Sequence, residues 1–228
     1  AAVRILETRL LIRRQGGWVA LPYVWNEDGS DAILARAGKR IDIGWTDAGG
    51  QPRSLSYAVP NVNQCKGCHV DGAGMVVPIG PKAPNLDDGT QLQGFAKAGY
   101  LPGLPDRRAR FPVWNDPASG TVEARARAYL DVNCGHCHNP SGPANTSGLW
   151  LHWQQPVGVN LGLGKRPTAA GRGSGSSEFA IAAGRPDDSI LVYRMKSLDP
   201  GIAMPELGRG TIHDEGVALV SQWIAEMK

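Results

Sequence analysis

The sequence predicts an α+β protein, mainly α around two short cysteine–histidine motifs, with a β-rich module over residues 1–60. Three observations carry that expectation. The first is period-two alternation in stretches such as Arg9-Leu10-Leu11-Ile12-Arg13 and Gly17-Trp18-Val19-Ala20-Leu21, broken by Gly16-Gly17, Asp28-Gly29 and Gly49-Gly50. The second is a run of helix formers from Val122 to Leu130, with Thr121 as its N-cap and Glu123 in its first turn. The third is the Thr211-x-x-Asp214 cap signal, followed by Val217, Leu219, Val220, Trp223 and Ile224 on one apolar face.

Taken in order, residues 1–60 read as short antiparallel strands. Residues 61–116 form a second region, in which Gly, Pro and polar residues surround the first motif and a short helix spans about Asp88 to Ala98. A Pro-rich connector from Leu101 to Pro117 marks the boundary with residues 117–228. Within that last region, residues 158–176 are Gly- and Ser-rich and read as a long surface loop, and Pro186 opens a helix through Ile190–Tyr193.

Composition narrows the function. The formal net charge is +3, from 24 basic and 21 acidic residues well mixed along the chain, which argues against nucleic-acid binding. No apolar run nears the roughly 18 residues of a transmembrane segment. The start, Ala1-Ala2-Val3-Arg4, lacks the basic head and apolar stretch of a secretory signal, which fits a processed or trimmed chain.

All four cysteines fall in two Cys-x-x-Cys-His pentapeptides, Cys65 to His69 and Cys134 to His138. This composition would yield roughly 0.0015 such pentapeptides by chance. Two occur, and no cysteine is left over. The spacing suits covalent haem attachment, because two thiols must reach two vinyl groups on the porphyrin edge while the adjacent imidazole meets the iron from below. The expected cofactors are therefore two covalently bound haem c groups, held by Cys65, Cys68, His69, Cys134, Cys137 and His138, with His69 and His138 as iron ligands. His136 reads as a spacer. A zinc site built from all four thiols would leave both histidines unexplained, and dithiol redox chemistry needs one pair only.

Asn133 to His138, the helix before them, the Met204-Pro205 dipeptide and the last helix with its aromatic residue resemble a class I cytochrome c domain. That resemblance implies a cytochrome c-like fold around the haems and makes Met204 the distal iron ligand of the second. About 66 residues separate His138 from Met204, enough to pass around the macrocycle. A Met/His pair suits an electron carrier by raising the potential. Nearly the whole chain also resembles a group of bacterial dihaem c-type cytochromes, through Glu7-Thr8-Arg9-Leu10-Leu11, Tyr23-Val24-Trp25-Asn26, Pro78-Ile79-Gly80-Pro81-Lys82, Arg125 to Leu130 and Met204 to Gly208.

The first haem departs from the class I pattern. Gly80 to Leu86 resembles the proximal loop whose carbonyl orients the ligand histidine. Yet only Met75 lies between His69 and Cys134 as a methionine, and the six residues from His69 to Met75 span at most about 20 Å. The distal candidates are Met75, His152, Met195, His213 or an open position. Arg172 and Arg194 are candidate partners for haem propionates.

The expected function is electron transfer between redox partners in the periplasm, where c-type haems are attached. The N-terminal block resembles segments accompanying quinoprotein sugar dehydrogenases, which makes such a dehydrogenase a candidate donor. The alternative is a dihaem peroxidase or a gas-binding or sensing haem protein that uses an open first iron.

Overall fold

The computed structural model describes residues 3–47, 49–80 and 82–228. Ala1 and Ala2 of the chain start, and Pro81 of the expected proximal loop, lie outside the described residues. Among the described residues there are five strands, all between Glu7 and Val59. β1 (Glu7–Arg14), β2 (Gly17–Trp25) and β3 (Ala32–Leu34) form an antiparallel sheet in the order β1-β2-β3. β4 (Lys39–Thr46) and β5 (Pro52–Val59) form a separate hairpin.

The β1–β2 register pairs Arg14 with Gly17 and Glu7 with Val24. Alternate residues of β2, Ala20, Pro22 and Val24, point inward and are buried, as a pleated strand with one covered face requires. Asp47 closes the β4–β5 turn by accepting from the backbone N–H of Gly49 and Gln51, each at 2.9 Å. Tyr57 of β5 donates to Glu7 of β1 at 2.5 Å and so ties hairpin to sheet.

Beyond residue 60 the chain is not mainly α, and the expected cytochrome c-like helical fold is overturned. Among the described residues there are five α-helices: α1 (Ala83–Leu86), α2 (Gln91–Lys97), α3 (Val122–Asn133), α4 (Ile190–Met195) and α5 (Asp214–Glu226). Only α3 and α5, with 12 and 13 residues, exceed two turns. Loops and single 3-10 turns make up most of the remainder. The physical reason lies in the 30 glycines and 17 prolines, which lower helix stability or block the helical hydrogen bond wherever they recur. Small antiparallel sheets with few helices describe the chain.

α3 starts where its cap places it, with the Thr121 hydroxyl accepting from the Ala124 N–H at 3.1 Å. α5 starts differently from expectation: His213 is its N-cap residue and no side chain caps the helix. The two helices cross at Gly216. A Cβ there would lie 2.4 Å from both Cζ and Oη of Tyr129, so only glycine permits the approach. Around this crossing, Ala126, Tyr129 and Leu130 of α3 pack with Val220, Trp223 and Ile224 of α5 and Leu191 and Val192 of α4.

Residues 61–116 dock on α3 and its neighbours through contacts that include an ion pair and a ring stack. Lys82 Nζ reaches both carboxylate oxygens of Asp131, at 2.7 and 2.8 Å, and the Asp131 side chain is 0% exposed. Phe111 stacks on Trp153 with ring centroids 4.4 Å apart. The 158–176 segment is not a simple surface loop, since Leu161 belongs to the core and Leu163 bridges to Ile181. No helix among the described residues is long and apolar enough to cross a membrane.

Candidate functional site

Both Cys-x-x-Cys-His motifs fold into the same turn. In the first, the N–H of Cys68 and of His69 both donate to the Cys65 carbonyl, at 3.3 and 2.9 Å. In the second, Cys137 and His138 donate to the Cys134 carbonyl, at 3.1 and 2.9 Å. The lead-in differs. Asn61 organises the first turn with its side-chain oxygen on the N–H groups of Asn63 and Gln64, whereas α3 runs directly into the second, Cys134 donating to the Leu130 carbonyl.

The histidines are oriented alike. His69 Nδ1 lies 3.1 Å from the Val77 carbonyl, and His138 Nδ1 lies 3.2 Å from the Leu149 carbonyl. A carbonyl can only accept, so Nδ1 carries the proton and Nε2 keeps its lone pair for a metal. The orienting group for His69 is thus Val77, which precedes the Gly80–Leu86 stretch where sequence had placed it. An isolated antiparallel bridge between Val70 and Val76 brings that carbonyl back to the histidine.

Cys134, Cys137 and His138 open into a cavity of about 620 Å³, within the range of cofactor sites. Met204 lines it too, so the structure brings together the four residues expected around the second haem. Leu149, Leu151, Ile190 and Leu191 contribute apolar wall. Burial pushes the Cys134 thiol up to about 12 and lowers His138. A neutral imidazole and a dry wall are what an iron-ligating histidine needs.

Lys165, Arg166 and Arg194 also line the cavity. Arg194 donates to the Ile202 carbonyl at 2.8 Å, and burial lowers its pKa, partly offset by Glu206. A half-buried guanidinium of this kind favours a carboxylate partner. Arg172 instead pairs with Asp199 at the surface, so Arg194 is the one of the two placed for a propionate. Residues 165–170, inside the stretch read as a surface loop, form one wall of the cavity. Sequence offered no signal for this, because a wall built from Pro167, Thr168 and Ala169 has no periodicity to read.

Met204 is held by its loop. Arg209 Nη1 donates to the carbonyls of Met204 at 2.7 Å and Met195 at 2.8 Å, and Nη2 reaches the Ser197 carbonyl. One guanidinium thereby ties the methionine loop to the end of α4.

The distal candidates for the first motif are scattered. Met75 is pinned by the Asp71 carboxylate, which accepts from its N–H at 2.9 Å, and its methyl group faces Gly17 in the β1–β2 turn. Met195 is core and lines the second cavity. His213 Nδ1 lies 2.9 Å from the Tyr129 hydroxyl, with Trp114 edge-on to its ring, beside a separate open cleft. His152 is the exception, with a buried Nδ1 that has no hydrogen-bond partner among the described residues.

The two motifs also meet each other. Cys68, His136 and Cys137 place their ligand atoms within 4.8 Å of one another. Hydrogen bonding from Cys137, and then from His136, holds the Cys68 thiol down at about 4, while Cys137 is pushed up by the same contact. His136 is therefore no mere spacer, which local sequence could not reveal because its neighbour lies 68 positions away. No family model, curated protein or solved structure matches the chain.

Proposed function

We propose that this chain carries two covalently attached haems and transfers electrons between redox partners, as its resemblance to bacterial dihaem c-type cytochromes implies. The observation that carries the reading is the repetition at two unrelated places of one arrangement. In each, two thiols and an imidazole share a single turn, and a backbone carbonyl takes Nδ1 and leaves Nε2 free. A zinc site gains nothing from that repetition, and the four thiols do not converge on one point.

The residues fit the group. Cys134 and Cys137 would anchor the macrocycle by thioether bonds, His138 Nε2 would donate to the iron, and Met204 stands in the same cavity to supply sulfur. Arg194 and Lys165 offer cations for carboxylates in the cavity lining, while the apolar wall excludes water and favours the less charged, reduced state. Bound haem supplies a one-electron couple whose potential the axial ligands and burial tune. Periplasmic export and a quinoprotein dehydrogenase as donor belong to the same proposal, since haem attachment of this type takes place outside the bacterial cytoplasm.

Intact mass of the purified protein, with a pyridine haemochrome assay, tests the reading. We expect the polypeptide plus two haems, and loss of one in a Cys134→Ala/Cys137→Ala variant. A mass equal to the amino acids alone refutes it.

A second reading, a first iron open to small ligands, is favoured by the placement of Met75, Met195 and His213 in other contacts. Carbon monoxide added to the reduced protein should then shift about half of the Soret absorbance. No shift in the wild type but a shift in His152→Ala would instead make His152 the ligand.

A further inference from the structure

Cys68, His136 and Cys137 converge, and neither pentapeptide alone accounts for it. Their ligand atoms lie within 4.8 Å of one another, and among the described residues no other group of three histidine, cysteine or acidic side chains does this. The second thiol of each pentapeptide thus meets the second thiol of the other, across the boundary between residues 61–116 and 117–228. The first thiols are engaged elsewhere: Cys65 Sγ donates to the Asn61 carbonyl at 3.5 Å, and Cys134 packs against the core. His136 Nδ1 is buried with no hydrogen-bond partner among the described residues, a costly state that a cation would relieve. Close approaches hold the two turns together, with Leu207 3.3 Å from where a Cβ of Gly67 would stand and the Ser141 carbonyl 3.8 Å from that of Gly72. All three cluster residues are half-buried and line the cavity of about 620 Å³.

We propose that, before haem is attached, Cys68, His136 and Cys137 bind one Zn²⁺ that bridges the two motifs, with water from the cavity as the fourth ligand. This goes beyond the haem reading and concerns an earlier stage of the same chain. Two thiolates and an imidazole form a borderline-soft donor set, which takes Zn²⁺ and leaves the hard cations Mg²⁺ and Ca²⁺ to oxygen ligands. Tetrahedral zinc separates such ligand atoms by roughly 3.5–3.8 Å, so the cluster needs a contraction of about 1 Å, which side-chain rotation supplies. On binding, each thiol gives its proton to solvent. Two protons leave as one divalent ion enters, the net charge of the site is unchanged and no electron moves. The ion staples residues 61–116 to residues 117–228. It also keeps each second thiol from closing a disulfide with the first thiol of its own pentapeptide. Thioether formation at Cys68 and Cys137 would replace both thiolates with neutral sulfur, so zinc and covalent attachment exclude each other there.

The full chain, synthesised without export and kept reduced, tests this by calorimetric titration with Zn²⁺. We expect one ion per chain. X-ray absorption of that complex needs no variant and should show two sulfurs and two lighter atoms around the metal. Three or four sulfurs, two ions per chain or no binding overturns the proposal. Cys68→Ala, His136→Ala and Cys137→Ala should each weaken Zn²⁺ binding by about tenfold or more with an unchanged far-UV circular dichroism spectrum, while Cys65→Ala and Cys134→Ala leave it as in the wild type. Equal losses at all four cysteines overturn the bridging site in favour of one ion within a single motif. The exported protein separates this proposal from the haem reading. Haem counted by mass together with no Zn²⁺ binding to the unexported chain sinks the zinc site alone. An exported chain without haem, beside an unexported one that binds Zn²⁺ as described, sinks the haem reading and leaves the zinc site standing.

Discussion

Replacing Gly216 with alanine puts the α3–α5 crossing to a quantitative test. The new methyl group would sit 2.4 Å from Tyr129 Cζ and Oη and 2.7 Å from His213 Nδ1. Tyr129 cannot simply swing aside, since its ring is 7% exposed, its hydroxyl meets His213 and Trp114 closes on its edge with centroids 5.7 Å apart. Overpacking of this kind costs roughly 1–3 kcal/mol. Alanine recovers up to about 1 kcal/mol in helix propensity, so the net loss is on the order of 1–2 kcal/mol. For a chain of this length that lowers Tm by about 2–4 °C per kcal/mol. Thermal denaturation followed by far-UV circular dichroism reads the shift. A Tyr129→Leu partner variant should relieve the clash, with a coupling energy of about 1 kcal/mol or more in the double-mutant cycle. A Gly216→Ala protein as stable as the wild type would refute the claim that the crossing requires glycine.

With haem bound as proposed, Arg209→Ala should weaken the near-infrared methionine-to-iron band; it should also lower the denaturation midpoint, since each charged hydrogen bond to a carbonyl contributes about 1.5–3 kcal/mol. Arg209→Lys should restore little, because an ammonium cannot span three carbonyls. Met204→His should abolish that band and lower the potential of one haem only, as read by spectroelectrochemistry. Thr121→Ala should cost about 1 kcal/mol in urea denaturation through loss of the α3 cap. Burial lowers His152, with Asp131 opposing the shift. The unfolded imidazole takes its proton near 6.5, the folded one only below that. Stability should therefore fall as pH drops from about 6.5 through the folded value, and the urea midpoint of His152→Gln should fall less between pH 7.5 and 5.5.

What could be read from sequence was what is local. Five consecutive residues set the turn that each cysteine–histidine motif adopts, and Thr121 with the alanine-rich run behind it sets α3, because both depend on neighbours within one or two turns. The mainly α expectation failed for a related reason. Helical stretches such as Gln91–Lys97 and Ile190–Met195 are recognisable, but they are one or two turns long, and the Gly- and Pro-rich chain between them folds by tertiary contact rather than by pattern. Long-range partners were out of reach. Nothing near Lys82 announces Asp131, nothing in Cys65 to His69 announces His136, and the Val77 carbonyl is a backbone atom that carries no residue signature.

Gly210 has the Leu55 side chain 2.6 Å from where a Cβ would stand, so β5 bears directly on the segment that follows Met204. The N-terminal hairpin is thereby a buttress for the segment that follows Met204. Whatever leans on its outer strand, a docking surface or a lost turn, presses on the same short stretch that Arg209 clamps from the other side. Shortening the chain before residue 60 would remove that backing from the loop that carries Met204.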